Sequence, residues 1–206
     1  MPGRSRATPP PEAGARRAAG RPRGFDTDQA LEQIIQAFWD QGFAQTSVDS
    51  LQERIGVKRS SFYAAFGDKE HAWRLALDRY TRTFTEAALR RLGEPGDVAQ
   101  RLGGFIRFVG AFLAENRGRG CMFLSAASQR LAVTPGTRQH MARLERRIFA
   151  AVSDCAAEPV GSYVIAVLLG LNAMARASMT AEAIRAAADL AAAALAPMVA
   201  AGTDPR

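Results

Sequence analysis

Apolar residues recur with a helical period along most of the chain, and no segment alternates with the period of two that is typical of a strand. The first helix is predicted from about residue 26 to residue 41, because Gly42 follows and can end it. Its apolar stripe comprises Leu31, Ile34, Ile35, Phe38 and Trp39. The pattern therefore predicts an all-α protein.

Two short helices joined by a tight turn are predicted next. Thr46 or Ser47 can cap the first helix, and Gly56 can form the turn. Phe62 and Phe66 give the second helix an inward face. The side chains left to face outward are Lys58, Arg59, Ser60, Ser61 and Tyr63. The second helix of a helix-turn-helix enters the major groove of DNA, where such donors reach bases and phosphates. An αα-hairpin in a helical bundle would show the same local pattern.

The segment from Phe25 to about Tyr80 resembles the DNA-binding domain of the tetracycline-repressor (TetR) family of bacterial transcription regulators. The matching residues are Ala37-Phe38, Gly42-Phe43, Thr46-Ser47-Val48, Gly56-Val57, Phe62-Tyr63, Phe66 and Asp68-Lys69-Glu70. The resemblance implies that Tyr63, Lys69, Ser60 and Ser61 contact phosphates. Thr46, Lys58 and Arg59 complete the predicted DNA-binding set.

Two residues depart from the family pattern. Lys58 stands where the family usually has a capping serine or asparagine, so the cap should be lost and a cation gained. Gln52 stands where the family usually has a small residue, which puts the packing of the two helices in question.

The net charge of +7 is distributed unevenly. Residues 1–25 contain six arginines and one glutamate, whereas residues 26–70 contain four cations and eight acids. Overall basicity is therefore no argument for the helix-turn-helix. The placement of the cations does support a helix-turn-helix, because both lysines of the chain, Lys58 and Lys69, lie in or just beyond the second helix.

Residues 1–24 are rich in proline, glycine, alanine and arginine, and we expect them to be disordered when free. The segment 20–24, with Arg21 and Arg23, resembles the core of an AT-hook. Such arginines gain from the negative potential of a narrow minor groove. A solvated tail explains the same composition, so both interpretations remain open.

Beyond the helix-turn-helix, Asp68 is expected to cap a long helix that ends near Leu92. Five more helical segments are predicted at about 97–115, 121–132, 135–157, 159–178 and 180–201. The total is about nine helices. The predicted domains are a basic arm (1–24), a DNA-binding domain (25–70) and an effector-binding and dimerisation domain (71–206).

The helix at 159–178 is apolar on nearly every side, so one face needs a partner. The family resemblance implies a dimer in which the last two helices pair with their symmetry mates. The predicted interface residues are Val164, Leu168, Leu171, Ala175, Ile184, Ala188, Ala191 and Leu195. A central helix in a monomer is the alternative.

Aromatic and methionine residues of the second half can close around one apolar site. By resemblance they would line an effector cavity for a largely hydrophobic ligand of modest size, although a packed core fits equally well. The predicted lining residues are Phe105, Phe108, Phe112, Cys121, Phe123, Met141, Leu144, Ile148, Tyr163 and Met174.

Cys121 is predicted to lie at a helix start beside Arg119, where the helix dipole and the guanidinium would favour the thiolate. It resembles the cysteine of a TetR subgroup that senses electrophiles, but a buried core thiol is the alternative. Two cysteines form no disulfide framework, which agrees with a reducing compartment. His71 and His140 lack ligand spacing, so neither a metal nor a cofactor is expected.

The expected function is a dimeric, effector-responsive transcriptional regulator, most often a repressor, that binds a palindromic operator in double-stranded DNA. A nonspecific nucleoid-type DNA-binding protein is the second hypothesis. An enzyme is the third, but no catalytic residues are found. A cytoplasmic protein is expected, since no apolar run reaches about 18 residues and the N-terminus lacks an apolar signal core.

Overall fold

The computed structural model describes residues 25–128 and 132–202, which contain helices, turns and loops and no strand. The helices are α1 (Thr27–Gln45), α2 (Val48–Ile55), α3 (Arg59–Phe66), α4 (Lys69–Tyr80), α5 (Glu86–Arg90), α6 (Val98–Glu115), α7 (Met122–Ser128), α8 (Pro135–Ser153), α9 (Glu158–Arg176), α10 (Ala181–Ala193) and α11 (Leu195–Gly202). When α4 joins α5 and α10 joins α11, the described part contains nine helices, so the all-α prediction is confirmed.

Gly42 breaks α1 near its end. Its backbone has φ +77° and ψ 169°, which is outside the helical region, and glycine adopts such a positive φ at little cost. The regular part of the first helix therefore ends at Gly42, as predicted, although one further helical turn follows to Gln45. Phe43, just after the break, packs against Phe38 of α1 and Trp73 of α4.

The helix that begins at Lys69 is continuous from α4 through α5, but it is not α-helical throughout. A π-helical segment at Thr81–Thr85 joins α4 to α5, and a short 3-10 turn at Arg91–Gly93 ends the helix. The predicted end near Leu92 is correct. The π segment was not predicted, because no residue type in this stretch marks an extra residue in a helical turn.

Helix α8 begins against the start of α4. The carboxylate of Glu70 accepts hydrogen bonds from the Thr134 hydroxyl (2.6 Å), the Thr134 backbone N–H (3.0 Å) and the Thr137 hydroxyl (2.7 Å). Farther along, His140 Nε2 lies 3.0 Å from an Asp78 carboxylate oxygen. The hydrogen bonds of Glu70 therefore hold the start of α8 to the start of α4.

Helices α6, α9 and α10 form the core of the second half. Gly110 of α6 faces Ala188 of α10 so closely that a Cβ atom on Gly110 would lie 2.5 Å from the Ala188 Cβ atom. Helix α10 passes almost straight into α11 at Ala194, which keeps helical angles. Pro197 explains the interruption, because its ring nitrogen cannot donate to the carbonyl of Ala193.

Two helical stretches, Glu158–Arg176 and Ala181–Ala201, have the length and mean hydropathy of a membrane span. The sequence contains no uninterrupted apolar run of about 18 residues, as stated above, but these two whole helices reach the required length and mean hydropathy. Length and composition are weak evidence, since the core helix of a soluble protein passes the same test. The buried face of Glu158–Arg176 packs against α6 and α8, which accounts for part of its apolar composition.

Candidate DNA-binding interface and ligand cavity

The helix-turn-helix is formed by α2 and α3. Ser47 caps α2 in a capping box. The Ser47 hydroxyl accepts from the backbone N–H of Ser50 (3.0 Å), and the Ser50 hydroxyl accepts from the backbone N–H of Ser47 (3.1 Å). Gly56 ends the helix in the left-handed conformation with φ +67°. The predicted turn is therefore present, with Ser47 rather than Thr46 as the cap.

Helix α3 keeps Phe62 and Phe66 in the core and leaves its polar residues outside, as predicted. Lys58 is its N-cap residue and makes no capping hydrogen bond through its side chain. Lys58, Arg59 and Ser60 are exposed, Tyr63 is 41% exposed, and Ser61 is half-buried. This surface presents hydroxyl, ammonium and guanidinium groups, which are of the kinds that contact phosphates and bases in protein–DNA complexes.

The Arg59 guanidinium lies between two neighbours. One nitrogen is 3.6 Å from an Asp49 carboxylate oxygen on α2, and its central carbon is 5.7 Å from the Tyr63 ring centroid. Both partners of the ion pair are more than two-thirds exposed, so the pair stabilises the fold little. It does orient the guanidinium on the outer surface.

Lys69 lies beyond the end of α3, in the first turn of α4. Its ammonium group is 4.4 Å from the Phe43 ring centroid and donates to the carbonyl of Ala44 (3.4 Å). Partial desolvation lowers the pKa of this lysine from its ordinary value. The role of Phe43 beneath Lys69 was not predicted, because the two residues are far apart in the sequence.

Three predicted DNA-binding residues need separate comment. Thr46 is only 1% exposed and its hydroxyl donates to the carbonyl of Gly42 (2.8 Å), so its side chain belongs to the core and not to the interface. Arg21 and Arg23 lie outside the described residues. The concern about Gln52 has a physical basis, since its side-chain nitrogen is buried with no hydrogen-bond partner among the described residues.

A cavity of about 440 Å³ lies between α4, α7 and α8. Three of the predicted effector residues line it, namely Phe123, Met141 and Leu144. Its other lining residues are Leu77, Ala126, Ala127, Val133, Arg138, Ala142 and Glu145. Among the described residues the lining is thus mostly apolar, with one cation and one carboxylate from α8.

The other predicted effector residues do not line this cavity, and their place in an effector site stays a prediction. They are Phe105, Phe108, Phe112, Cys121, Ile148, Tyr163 and Met174. Phe105 and Ile148 are buried in the core, the Tyr163 hydroxyl donates to the carbonyl of Ala191 (3.1 Å), and Phe108 stacks on Phe84. Helical direction separates them, because the apolar face of α6 points towards α9 and α10.

The thiolate prediction for Cys121 is wrong. The residue does precede α7, but its thiol is buried, and burial raises its pKa. The Tyr80 hydroxyl donates to its sulfur (3.4 Å). The Arg119 guanidinium turns instead to α1, where it contacts Asp40 (2.9 Å) and lies 4.1 Å from the Trp39 ring centroid.

The predicted dimer residues also need correction. Seven of them are at most 4% exposed within a single chain: Val164, Leu168, Leu171, Ala175, Ile184, Ala188 and Leu195. Ala191 is half-buried. The seven buried side chains pack inside their own chain, so they offer little surface to a partner. The large apolar side chains on the outside of α9 and α10 are Leu169 (39% exposed) and Leu190 (74% exposed).

Comparisons with known proteins agree with this geometry. Residues 30–71 match the model of the bacterial regulatory proteins of the tetR family. The chain is 32% identical over 112 residues to the HTH-type transcriptional repressor ComR of Escherichia coli, a match that covers 53% of each protein. It is 30% identical over 109 residues to the repressor BdcR of the same organism, covering 52% of this chain and 55% of BdcR. The chain thus spans about half the length of these curated relatives.

Solved structures extend the likeness over most of the chain. A cysteine mutant of the TetR family regulator CifR, in complex with 26-base-pair operator DNA, superposes with a TM-score of 0.69 and 25% identity. That match covers 85% of this chain and 99% of CifR. SCO4454 from Streptomyces coelicolor shares the fold, with a TM-score of 0.73, 16% identity and coverage of 84% and 94%. Residues 30–71 therefore match the tetR family model, and the chain shares its fold with TetR family transcriptional regulators.

Proposed function

We propose that this protein is a transcriptional repressor that binds a palindromic operator as a dimer and is released by a small hydrophobic ligand. The observation that carries the proposal is the outer surface of α3, where Lys58, Arg59, Ser60 and Tyr63 are exposed next to Lys69. In this proposal residues 25–70 bind DNA and residues 71–206 bind the ligand and the partner subunit, in the cytoplasm.

The 440 Å³ cavity is the proposed ligand site. Its apolar lining from α4, α7 and α8 suits a hydrophobic molecule, and Arg138 and Glu145 supply polar contacts at opposite ends of one α8 face. The cavity includes Leu77 of α4, the helix that begins with Lys69. A ligand that favours a different position of α4 would therefore alter the DNA-binding surface.

The assembly proposed for this function uses the outer face of α9 and α10. Leu169 and Leu190 lie among small exposed residues of the same two helices, Ala166, Gly170, Ala173, Ala186 and Ala193. Small side chains allow close helix approach, and two-fold dimers are the commonest soluble oligomers. Pairing of this face with its symmetry mate would set the distance between the two recognition helices.

The test measures binding to the DNA upstream of the protein's own gene by fluorescence anisotropy, with footprinting to locate the operator. Lys69→Ala and Tyr63→Phe should weaken binding to every sequence, because phosphate contacts carry no base information, and Lys69→Ala should reduce the salt slope by about 1. Arg59→Ala should instead relax the preference at one base pair by about 1–3 kcal/mol.

Arg146→Ala is the matched control, because this exposed arginine lies on α8, away from α3. Unchanged operator affinity in Lys69→Ala, Tyr63→Phe and Arg59→Ala would overturn the proposed interface. Deletion of residues 1–24 distinguishes a repressor from the second hypothesis. A nonspecific DNA-binding protein would lose DNA binding entirely when these residues are deleted. A repressor would keep operator preference with reduced affinity.

A further inference from the structure

A cavity of about 230 Å³ lies where the end of α1 meets the second half of the chain. Arg119 and Arg176 both line it, so we call it the arginine cavity. Its other walls come from residues 38–45 of α1, from Trp73 of α4 and from α7. Among the described lining residues it has only Ala126 in common with the 440 Å³ cavity, so the two cavities are separate.

Several hydrogen-bond acceptors in the wall of the arginine cavity are already in use. The backbone carbonyls of Gly42 (2.8 Å) and Ala44 (3.4 Å) accept hydrogen bonds from other side chains. The Asp40 carboxylate contacts the Arg119 guanidinium (2.9 Å). These groups therefore have little capacity left for a donor on a ligand.

Two buried donors in the same wall have no acceptor among the described residues. They are the indole N–H of Trp73, a residue that is only 2% exposed, and the Nε–H of Arg119. Arg119 Nε is close to Asp40 but makes no hydrogen bond to it. A buried donor without an acceptor is costly, so a ligand with oxygen acceptors would be favoured in this cavity.

The described lining also has a surplus of positive charge. Arg119 and Arg176 are opposed by the one carboxylate of Asp40, which contacts Arg119. Arg176 pairs with no carboxylate among the described residues, and its guanidinium donates to the Ser125 hydroxyl (3.3 Å). The Ser125 oxygen accepts from Asn172 as well (3.5 Å), so its own proton is available to a ligand. These groups favour an anion.

The size and the apolar part of the cavity narrow the class of anion. Its volume lies below the roughly 300–1,000 Å³ of pockets for drug-sized ligands, so the occupant is small. Phe38, Met122 and Ala126 are among its apolar lining residues. An inorganic anion would leave that apolar surface without a contact, whereas an organic acid would cover it.

We propose that the arginine cavity binds a small organic carboxylate. Its oxygens would accept hydrogen bonds from Arg176, Ser125 and the Trp73 indole, and its apolar body would pack against Phe38 and Met122. This site is additional to the ligand cavity of the proposed function. Its occupant would lie beside the last turn of α1.

The experiment compares benzoate with benzamide, a neutral molecule of nearly the same shape. The two tryptophans of the chain, Trp39 and Trp73, both line the cavity, so the fluorescence of the unmodified protein reports binding. A saturable change with benzoate is expected, with an affinity about tenfold higher than that for benzamide, because hydrogen bonds to a charged acceptor are stronger.

Variants locate the site. Arg176→Gln should remove most of the preference for benzoate, and Arg176→Lys should retain part of it. Arg146→Gln is the matched control, because this exposed arginine of α8 is not among the described lining residues of either cavity.

Two further variants test the buried donor and the other cavity. Trp73→Phe keeps an aromatic ring but removes the N–H, so calorimetry should show benzoate binding weakened about 2- to 10-fold. Met141→Leu, in the 440 Å³ cavity, should leave benzoate binding unchanged.

Equal affinity for benzoate and benzamide would overturn the proposal, and so would an unchanged preference in Arg176→Gln. An equal loss in Arg146→Gln would mean that benzoate responds to overall charge and has no site here. Loss of benzoate binding in Met141→Leu would assign it to the 440 Å³ cavity and would also overturn the proposal. The comparison of the two probes needs no variant and no operator DNA, so its outcome is independent of the proposed repressor function.

Discussion

Burial of the Cys121 sulfur atom changes the chemistry expected of this residue. Its backbone N–H donates to the Asn172 side chain (2.7 Å), and its thiol receives the Tyr80 hydroxyl. Burial disfavours the charged form and raises the pKa of the thiol above its ordinary value of 9.0. At neutral pH the thiol therefore stays protonated and shielded from solvent.

Alkylation of the folded protein by iodoacetamide at neutral pH should consequently be faster at Cys155 than at Cys121, by roughly tenfold or more. Cys155 is half-buried, so reagent can reach it without opening of the core. Peptide mass spectrometry at timed intervals gives both rates. Faster modification of Cys121 would restore the view that it senses electrophiles.

At the scale of elements, the contact between α6 and α10 depends on the absence of a side chain. Gly110 has no room for a Cβ atom, because Ala188 would be 2.5 Å away. In addition, Arg107 pairs with Asp189 (3.1 Å) across the same two helices. The two helices approach closely only as long as one of the facing residues is glycine.

Gly110→Ala should lower the free energy of unfolding by about 1–3 kcal/mol, because the added methyl group forces the helices apart. Ala188→Gly alone should cost about 1 kcal/mol in helix propensity. The double variant should be more stable than the sum of the two losses, since the clash is relieved. Urea unfolding of all four proteins measures this coupling, and strict additivity would contradict the close-contact explanation.

The contact between α4 and α8 depends on the charge of Glu70. Hydrogen bonds, first from the Thr134 side chain, lower the pKa of this carboxylate below its ordinary value of 4.5. A lowered pKa means that the native state favours the ionised form. The stabilisation is therefore present above pH 4.5 and is lost as the pH falls through the lowered pKa.

Glu70→Gln should accordingly be less stable than the unmodified protein at pH 7, and the difference should shrink as the pH falls below about 4.5. Urea unfolding at a series of pH values tests this. A difference that stays constant with pH would mean that the ionised carboxylate contributes nothing to the joint of α4 and α8.

Most helices of this fold could be predicted from caps and breakers. Asp68, Asp97, Thr134 and Thr180 all accept a backbone N–H at the start of a helix, as their positions in the sequence suggest. The π segment could not be predicted, because no residue type in Thr81–Thr85 marks an extra residue in a helical turn. In the structure its Phe84 ring stacks on Phe108 and Phe112 of α6.

At the scale of the whole molecule, the apolar composition of α9 does not show which of its faces points into the chain and which points outward. The sequence pattern predicts Leu168 at the dimer interface, yet this residue is buried within the single chain and the adjacent Leu169 faces outward. The lining of the 440 Å³ cavity was predicted only in part for a related reason. Which aromatic residues face α7 and α8 depends on how neighbouring helices are rotated, and the chain does not encode that rotation locally.

The corrected outer face leads to a test of assembly. Leu190→Glu should give a soluble monomer, because Leu190 is 74% exposed in the single chain and a charge there disrupts only pairing. Leu195→Glu should fail to fold, since this residue is fully buried and a buried unpaired charge is costly. Size-exclusion chromatography with light scattering distinguishes the two. A Leu190→Glu dimer would move the interface elsewhere.

The scarcity of lysine has a practical consequence. Lys58 and Lys69 are the only lysines among the 206 residues, and both lie beside the exposed surface of α3. Amine-reactive dyes and amine coupling to a sensor chip would therefore attach to side chains at the proposed DNA contact and mask it. Formaldehyde, in contrast, would find its reactive amines where DNA is expected to lie, so crosslinking in living cells should be efficient for this protein.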